Sequence, residues 1–330
     1  MRREPTIPGL DIRAFDPERD FEAGAAFLRD VDRHDAWDWL PSATDLASLW
    51  TPSERFDPMR DAVVARVGDE VVGLATTDWR AHDTFVSHEV SVWVRPARRR
   101  RGLGRRLLAW AEARARDVRR AKPGENGLPH VLDAYLAVEV AGVETFAEAA
   151  GYSPHTYGFL MLRQLAEPIP AAPLPEGLEI RPVQLSDHRL IWDADTEAFR
   201  DHAEPSERDE ADFEHWFSQP GLDTSLWRVA WAGDEVAGSV MAMIWAEENA
   251  ALGVRRAWLE HVSVRRPWRR MGLASALIAE SLRVLRERGL DQAILGVHGE
   301  NPTGAVGLYE RLGFHVHRRW QLWRKPIDAV

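Results

Sequence analysis

Two arginine-rich segments, one in each half of the chain, contain the residues whose types and spacing most clearly suggest chemistry. Residues 94–104 read VRPARRRRGLG and residues 264–274 read VRRPWRRMGLA. In both, an apolar run leads into a turn with two small residues two positions apart, and an amphipathic pattern follows directly. Backbone N–H groups in the first turn of a helix lack partners within that helix and can face an anion. Because small residues let phosphate oxygens approach the backbone and arginines add charge-assisted contacts, the pattern predicts a diphosphate-binding turn in each half.

The alternative interpretation of these segments is a basic turn whose arginines are merely solvated. Its recurrence after an apolar run in both halves argues against that alternative. The P-loop motif, which ends in Gly-Lys-Ser/Thr, and the dinucleotide motif with three spaced glycines are both absent from these segments.

The chain repeats itself at a spacing of about 165 residues, which indicates a duplicated domain. Four matches occur in the same order in both halves: Gly9–Arg13 with Gly177–Arg181, Gly68–Gly73 with Gly233–Gly238, the two arginine-rich segments, and Gly151-Tyr152 with Gly313-Phe314. The proline-rich residues 166–176 (AEPIPAAPLPE) predict a semi-rigid linker between the copies. We therefore expect a first domain over residues 1–165 and a second over residues 177–330.

The elements that must position the turns form a mixed α/β pattern in each copy, which predicts a twisted sheet of about six or seven strands flanked by helices. In the second copy the expected strands cover residues 178–182, 226–232, 236–245, 258–264 and 292–297. The expected helices cover residues 186–199, 209–217, 272–288 and 303–312, with Ser186 as an N-cap. The second diphosphate turn thus lies between a strand and a long amphipathic helix.

The composition of the 330-residue chain excludes several classes of protein. A net charge of −10 disfavours nucleic acid as a partner, and no apolar run is long enough for a membrane span or a signal peptide. The absence of cysteine excludes disulfides, thiolate metal sites and a cysteine nucleophile. The twelve histidines contain no helical pair with a third ligand nearby, so no metal is expected. We expect a cytoplasmic monomer or homodimer.

At the arginine-rich segments the chain resembles the GCN5-related N-acetyltransferase (GNAT) superfamily, whose acetyl-coenzyme A motif is Arg/Gln-x-x-Gly-x-Gly/Ala. The last-helix motif of that family, an Asn near a strand end followed by Leu-Tyr-x-x-x-Gly-Phe, stands here as Asn301 and residues 308–314 (LYERLGF). The resemblance covers nearly the whole chain as a tandem pair and implies acetyl-coenzyme A as cosubstrate, without a metal. The residues it assigns to coenzyme binding are, in the first copy, Val92, Trp93, Val94, Arg99, Arg100, Arg101, Gly102, Leu103, Gly104 and Arg105, and, in the second, Val262, Ser263, Val264, Arg269, Arg270, Met271, Gly272, Leu273, Ala274, Ser275 and Asn301.

The resemblance also implies roles for two catalytic residues of the second copy. Its strand 258–264 would splay from strand 292–297 and open a slot for the pantetheine arm, with Tyr309 near the coenzyme sulfur. Tyr309 is then the candidate general acid, and Glu260 is the nearest carboxylate that could act as base. Backbone N–H groups at residues 262–264 would polarise the carbonyl. The alternative for Glu260 is a charged residue at a strand end that faces solvent.

The first copy departs from the family pattern at the catalytic positions. At the offsets from Gly151 that Tyr309 and Asn301 have from Gly313, the first copy carries Ala147 and Glu139. Since alanine cannot donate a proton, we expect catalysis in the second copy and a degenerate first copy. Tyr135 and Tyr152 remain as substitutes for the missing tyrosine.

Tandem proteins of this kind resemble the mycothiol synthase-like group within that superfamily. Residues 198–204 (AFRDHAE) are similar to that group's segment Ala-Phe-x-x-His-x-Glu, which makes His202 and Glu204 candidates for substrate binding. The group's carboxylate two residues before Glu260 is here Trp258, so the acceptor can differ. The resemblance implies acetyl-coenzyme A dependent acetylation of a small-molecule amine. An enzyme with a longer acyl donor and a non-catalytic coenzyme A binding or regulatory module are the alternatives.

Overall fold

The computed structural model describes residues 7–121, 127–202, 204–219, 221–300 and 304–327. These residues form two compact units. One comprises the chain up to Thr156 together with the residues from Trp320 onward, and the other comprises Tyr157–Arg319.

Strands and helices alternate in both units. The strands are β1 (Leu10–Ala14), β2 (Ala62–Val67), β3 (Glu70–Ala81), β4 (Val86–Val94), β5 (His130–Ala137), β6 (Ser153–Gln164), β7 (Glu179–Arg181), β8 (Arg228–Ala232), β9 (Glu235–Met243), β10 (Arg256–Val264), β11 (Gln292–His298) and β12 (His315–Pro326). The α-helices are α1 (Pro17–Asp35), α2 (Ala43–Leu49), α3 (Pro58–Asp61), α4 (Leu103–Ala121), α5 (Val143–Ala149), α6 (His188–Phe199), α7 (Glu210–Phe217), α8 (Ala246–Leu252), α9 (Leu273–Glu287) and α10 (Ala305–Arg311).

Each unit has one mixed sheet. The strand order is β1-β2-β3-β4-β5-β12 in the first unit and β7-β8-β9-β10-β11-β6 in the second. Strands β4 and β5 pair in parallel, as do β10 and β11, whereas the other neighbours within each unit are antiparallel. The expected mixed α/β architecture is therefore confirmed.

The strands that complete the two sheets are exchanged along the chain. Residues 158–164 of β6 pair with β11 in the second unit, and Trp320–Pro326 of β12 pair with β5 in the first. This division differs from the sequence-based boundaries of 1–165 and 177–330, because cross-strand pairing rather than chain order decides where each segment packs. Residues 166–176 form no helix or strand, and Ile169 and Leu174 pack on the core of the second unit.

Helix α9 begins as its sequence pattern predicts. Its apolar stripe, which includes Leu273, Leu277 and Leu285, is buried in the core of the second unit. Helix burial of this kind supplies most of the stability of a helix in a folded protein. The helix is thereby fixed with its N-terminus at the end of the turn that follows β10.

Two details of the second unit correct the sequence-based expectations. Ser186 is not the N-cap of α6, because a 3-10 turn over Leu185–Asp187 precedes that helix and Gln184 and Asp187 form the capping box. The strand expected to reach Trp245 ends at Met243, and Trp245 instead precedes α8. Helix α8 had no counterpart in the expected elements.

Candidate active site

A slot opens between two neighbouring strands of the second unit. Strands β10 and β11 pair only at Arg256–Trp258 with Gln292–Ile294. Beyond these residues β10 continues along β9, while β11 continues along β6. The facing edges of the two strands are thus unpaired toward their C-terminal ends, as the resemblance implied.

A β-bulge in β10 decides which side chains line this slot. Leu259 pairs with Ala242 and His261 with Met241, so Glu260 is an extra residue between two regular pairs. A bulge interrupts the alternation of side chains between the two faces of a strand. Leu259 and Val262 accordingly pack toward the apolar core, and Glu260 and His261 come side by side on the other face.

The turn from β10 into α9 forms a cradle for an anion. Gly272 is the N-cap of α9 with φ of +89°, and no side chain caps the helix. A Cβ added to Gly272 would meet no atom within 4 Å among the described residues, so the protein leaves the space beside this glycine open. The first-turn N–H groups of α9 therefore lack a side-chain cap and suit a diphosphate. The first unit repeats this geometry at Gly102, whose φ is +87°.

One arginine in each cradle binds the backbone of the turn itself. Arg269 donates from Nε to the Val264 carbonyl oxygen at 2.8 Å and also binds Asp201, so its guanidinium fixes the turn. Ion pairs with Arg266 and Arg269 hold the pKa of Asp201 well below its usual range. Arg99 does the same in the first unit, donating to the Val94 carbonyl oxygen at 3.0 Å and pairing with Asp35.

The other predicted coenzyme residues fall into three environments. Exposed side chains at the mouth of the cradles are those of Arg100, Arg101, Arg105, Arg270 and Met271. Side chains that pack against the cores are those of Leu103 and Leu273, which are fully buried, and of Val92, Trp93, Val94, Val262 and Val264, which are partly buried. Ser263 shares a hydrogen bond with Ser239 (Oγ to Oγ 3.1 Å), Gly104, Ala274 and Ser275 lie in the first turns of α4 and α9, and Asn301 lies outside the described residues.

Tyr309 lies on α10 with its side chain almost completely buried against Phe314. Burial raises the pKa of Tyr309 to about 12, so the hydroxyl stays protonated at neutral pH. No hydrogen bond is made by this hydroxyl to the described residues. It is therefore a proton donor without a structural partner in the part of the chain that the structure describes.

Glu260 is held by an indole rather than left in solvent. Trp245 donates from Nε1 to Glu260 Oε1 at 3.0 Å, and burial raises the pKa of the Glu260 carboxyl. Next to it, Glu248 of α8 accepts hydrogen bonds from Arg256 at 2.7 Å and from the Trp258 indole at 3.1 Å. A carboxylate whose basicity is raised in this way, at a strand opening, has the chemistry of a general base.

His261 is the second proton acceptor on this face, and sequence reasoning missed it. Its Nδ1 lies 2.8 Å from Oδ2 of Asp195, which is fully buried on α6. Arg208 donates to the same Asp195 oxygen at 2.7 Å. His261 and Arg208 together lower the pKa of Asp195 against the opposing effect of burial. No sequence motif links these three residues.

The two predicted substrate residues lie near this cluster. His202 packs on Phe199 with ring centroids 4.4 Å apart, and burial lowers the pKa of its imidazole, as does the nearby charge of His298. Glu204 acts electrostatically on His298 at the end of β11. His202 is thus linked to His261 through Phe199, which packs on both rings, whereas Glu204 is linked to His298 by charge alone.

The first unit has its own group of carboxylates at the same point of the sheet. Glu89 is the last residue of β4 that pairs with β5, and it lies directly across the β3–β4 ladder from Asp78. Burial and the facing Asp78 raise the pKa of Glu89 to about 8. Asp133, the β5 partner of Glu89, is bound by Arg324 at 2.7 and 2.8 Å.

The first unit offers no direct counterpart of Tyr309. Ala147 is buried on α5, and the Tyr152 hydroxyl is committed to Glu112 at 3.2 Å. Tyr135 is half exposed and packs edge-on against Trp320. Strand β4 also pairs with β3 without an irregularity, so the bulge of β10 is not repeated there.

Comparison with known proteins agrees with this geometry. The model of the acetyltransferase (GNAT) family matches residues 25–122 and 188–314. The chain belongs to the GNAT acetyltransferase family. The enzyme is 33% identical over 239 residues to a mycothiol acetyltransferase of Salinispora tropica, a match that covers 71% of this chain and 72% of the relative.

Solved structures support the same assignment of this N-acetyltransferase. A GCN5-related N-acetyltransferase from Sphaerobacter thermophilus is 29% identical, with a TM-score of 0.76 and coverage of 98% of this chain and 97% of that chain. A tandem GNAT protein from the clavulanic acid biosynthesis pathway, 18% identical, shares the fold with a TM-score of 0.69 and coverage of 97% and 99%.

Neither a metal-ligand cluster nor a membrane-spanning helix occurs among the described residues. No group of three or more histidine, aspartate or glutamate side chains in that part of the chain could hold a metal ion. None of the helices described there is long and apolar enough to cross a bilayer.

Proposed function

We propose that the second unit transfers an acetyl group from acetyl-coenzyme A to the amine of a small molecule. The observation that carries this proposal is the conjunction, in one unit, of an anion cradle, a strand opening and the Tyr309 hydroxyl, which has no hydrogen-bond partner among the described residues. The cosubstrate supplies an acetyl group activated as a thioester.

The residues of this unit would divide the work by position. The backbone around Gly272 would hold the diphosphate, with Arg270 at its mouth, while Arg269 keeps the turn in shape. Glu260 would accept a proton from the acceptor amine, and Tyr309 would donate its proton to the departing sulfur. Backbone N–H groups at the unpaired edge of residues 262–264 would stabilise negative charge on the carbonyl oxygen.

The first unit is proposed to bind coenzyme A without efficient catalysis. It retains the left-handed glycine and the pinned arginine of the cradle, Gly102 and Arg99. Its last helix carries Ala147 in place of a proton donor, and its Tyr152 is already bound to a carboxylate.

The acceptor is proposed to be a small polar or aromatic amine. The relatives' name, mycothiol acetyltransferase, suggests an amine on a thiol-bearing small molecule. Trp258 and Trp245 place two indoles beside Glu260, so the wall of the site next to the reacting amine is more aromatic than carboxylate-rich. An aromatic wall of this kind also binds cations.

The decisive experiment is a screen of amine acceptors with detection of released thiol. Acetyl, propionyl and succinyl donors are compared with the best acceptor, and Tyr309→Phe serves as the catalytic control. Turnover of an amine by the wild type and its loss in the variant support the proposal. Tight coenzyme A binding without turnover of any amine would favour a binding or regulatory module instead.

A further inference from the structure

Two side chains that can accept protons lie at the strand opening of the second unit. The proposed mechanism assigns a role to one of them, Glu260. The bulge in β10 brings Glu260 and His261 onto one face, with Glu260 held by Trp245 and His261 held by Asp195. A primary amine that arrives as an ammonium ion loses two nitrogen protons on becoming an amide. Two acceptors at adjacent positions match that requirement.

The contacts of His261 fix its ring in one orientation. Its Nδ1 faces the fully buried Asp195 at 2.8 Å, and the ring stacks on Trp216 with centroids 4.6 Å apart and planes inclined by 14°. Phe199 packs against the ring from another side with centroids 5.3 Å apart. With Nδ1 turned to a carboxylate, the opposite nitrogen Nε2 is directed away from the helix.

The free nitrogen of this imidazole is available to a ligand. The His261 side chain keeps 16% of its surface accessible, whereas its Nδ1 is buried and lies 2.8 Å from Asp195 Oδ2 without regular hydrogen-bond alignment. A carboxylate this close to Nδ1 favours a proton on that nitrogen, which leaves Nε2 as the basic nitrogen of the neutral ring. Arg208 in turn holds the same oxygen of Asp195 at 2.7 Å, which keeps that carboxylate ionised and in place.

Charged and titratable groups surround His261 from each element packed against it. Asp195 comes from α6, Arg208 from the segment before α7, and Glu260 from β10 itself. His202 lies close enough to interact with Asp195, Arg208 and with His298 of β11. Of these described groups, Asp195 is the one that directly contacts a ring nitrogen of His261.

We infer that His261 is a catalytic base for the acceptor amine, with Asp195 and Arg208 as its positioning residues. This inference rests on the proposed acetyl transfer. His261 Nε2 accepts one proton from the ammonium group, and the freed nitrogen forms the C–N bond as the C–S bond breaks. Glu260 takes the second nitrogen proton and Tyr309 protonates the departing sulfur. Glu260 then reprotonates Tyr309, and His261 releases its proton to solvent.

The kinetic test is the pH dependence of kcat/KM for His261→Asn, with His315→Asn as a matched control on an exposed strand position. We expect the His261 variant to lose about 10²-fold or more in kcat/KM at pH 7. The loss should shrink as the pH approaches the range in which the acceptor is already a free amine. Asp195→Asn should show the same pH trend with a smaller loss, and His315→Asn should match the wild type.

A second readout does not depend on turnover. In uniformly 15N-labelled full-length protein, the His261 ring nitrogens should report a proton on Nδ1 in the neutral form, and Asp195→Asn should shift the population toward Nε2–H. An Nε2–H tautomer in the wild type, or an unchanged pH profile in His261→Asn, would overturn the inference. If the wild type acetylates no amine at all, the proposed function fails instead, while the tautomer result still decides the geometry.

Discussion

Replacing Gly272 by valine tests the anion cradle of the second unit. The structure separates the cost of the replacement to folding from its cost to coenzyme binding. The φ of Gly272 is +89°, so valine there is strained by about 1–3 kcal/mol whatever surrounds it. No described atom lies within 4 Å of an added Cβ, so the variant creates no clash within the protein. Because Gly272 is the N-cap of α9, the new side chain is attached next to the first-turn N–H groups proposed to face the diphosphate.

The expected functional loss follows from the contacts that the side chain would displace. A hydrogen bond to a charged group contributes about 1.5–3 kcal/mol, which is about 10- to 10²-fold in binding for each bond lost at about 1.36 kcal/mol per tenfold. Gly272→Val should therefore raise KM for acetyl-coenzyme A by at least tenfold, and at donor concentrations below the wild-type KM the rate should fall by about the same factor. Gly102→Val, strained at a φ of +87°, should remove one equivalent of bound coenzyme while largely sparing the rate.

The assay combines calorimetric titration of coenzyme A with steady-state kinetics and thermal unfolding. Gly233→Val is the matched control, since Gly233 lies in the β8–β9 turn with a φ of +61° and no described atom within 4 Å of an added Cβ. All three variants should lose similar thermal stability, and the control should keep its KM. An equal rise of KM in the control would mean that strain, not phosphate binding, is responsible. Equal loss of turnover from the two cradle variants, both folded, would mean that the first unit is catalytic too.

Three further predictions test individual side chains. Tyr309→Phe should lower kcat by about 10²- to 10⁴-fold, or about 3–5 kcal/mol. Its thermal stability should be unchanged, because the hydroxyl has no hydrogen-bond partner among the described residues. A kcat like that of the wild type would exclude Tyr309 as the general acid. Glu89 has its pKa raised from 4.5 to about 8, so its protonated form stabilises the fold at low pH and that contribution is lost as the pH rises through this window. Glu89→Gln should accordingly be more stable than the wild type by about 4 kcal/mol at pH 8 and equal to it at pH 4, in denaturant titrations at both pH values; a difference that grows toward low pH would reverse the assignment. Arg256→Met should cost about 3–5 kcal/mol of unfolding free energy because Glu248, 2.7 Å away, is left buried without its cationic partner and with the Trp258 indole as its remaining donor among the described residues, and adding Glu248→Leu should recover much of that loss.

The parts of the site that depend on local spacing could be predicted from the sequence. Gly272 and the apolar period beginning at Leu273 specify a turn and a helix whatever packs around them, and both lie where the pattern placed them. The sequence repeat pairs Gly73 with Gly238, but it gives no reason for a glycine at either position. An added Cβ at Gly238 would lie 2.6 Å from the Ser263 carbonyl oxygen, and one at Gly73 would lie 2.7 Å from Leu107 Cδ1, so close packing excludes a side chain at both.

The parts that depend on distant pairing could not be predicted. Nothing in residues 256–264 signals an extra residue at Glu260, because the bulge exists only relative to the register of β9. The contact between Asp195 and His261 joins a helix to a strand far along the chain, and no motif spacing encodes it. Helix α8 was missed because the apolar run before it continues through Ile244 and Trp245, although pairing stops at Met243.

The exchanged terminal strands have a consequence for the order in which the protein can mature during synthesis. Trp323 belongs to the core of the first unit, and Arg324 neutralises Asp133 there, yet both lie near the C-terminus. A ribosome that has made only the first half of the chain therefore exposes a β5 edge whose partner strand does not yet exist. An unpaired edge of this kind is a template for wrong pairing. The sheet of the first unit is complete only when residues 320–326 have been made. Cutting the chain between the repeats would therefore separate this unit from one of its own strands.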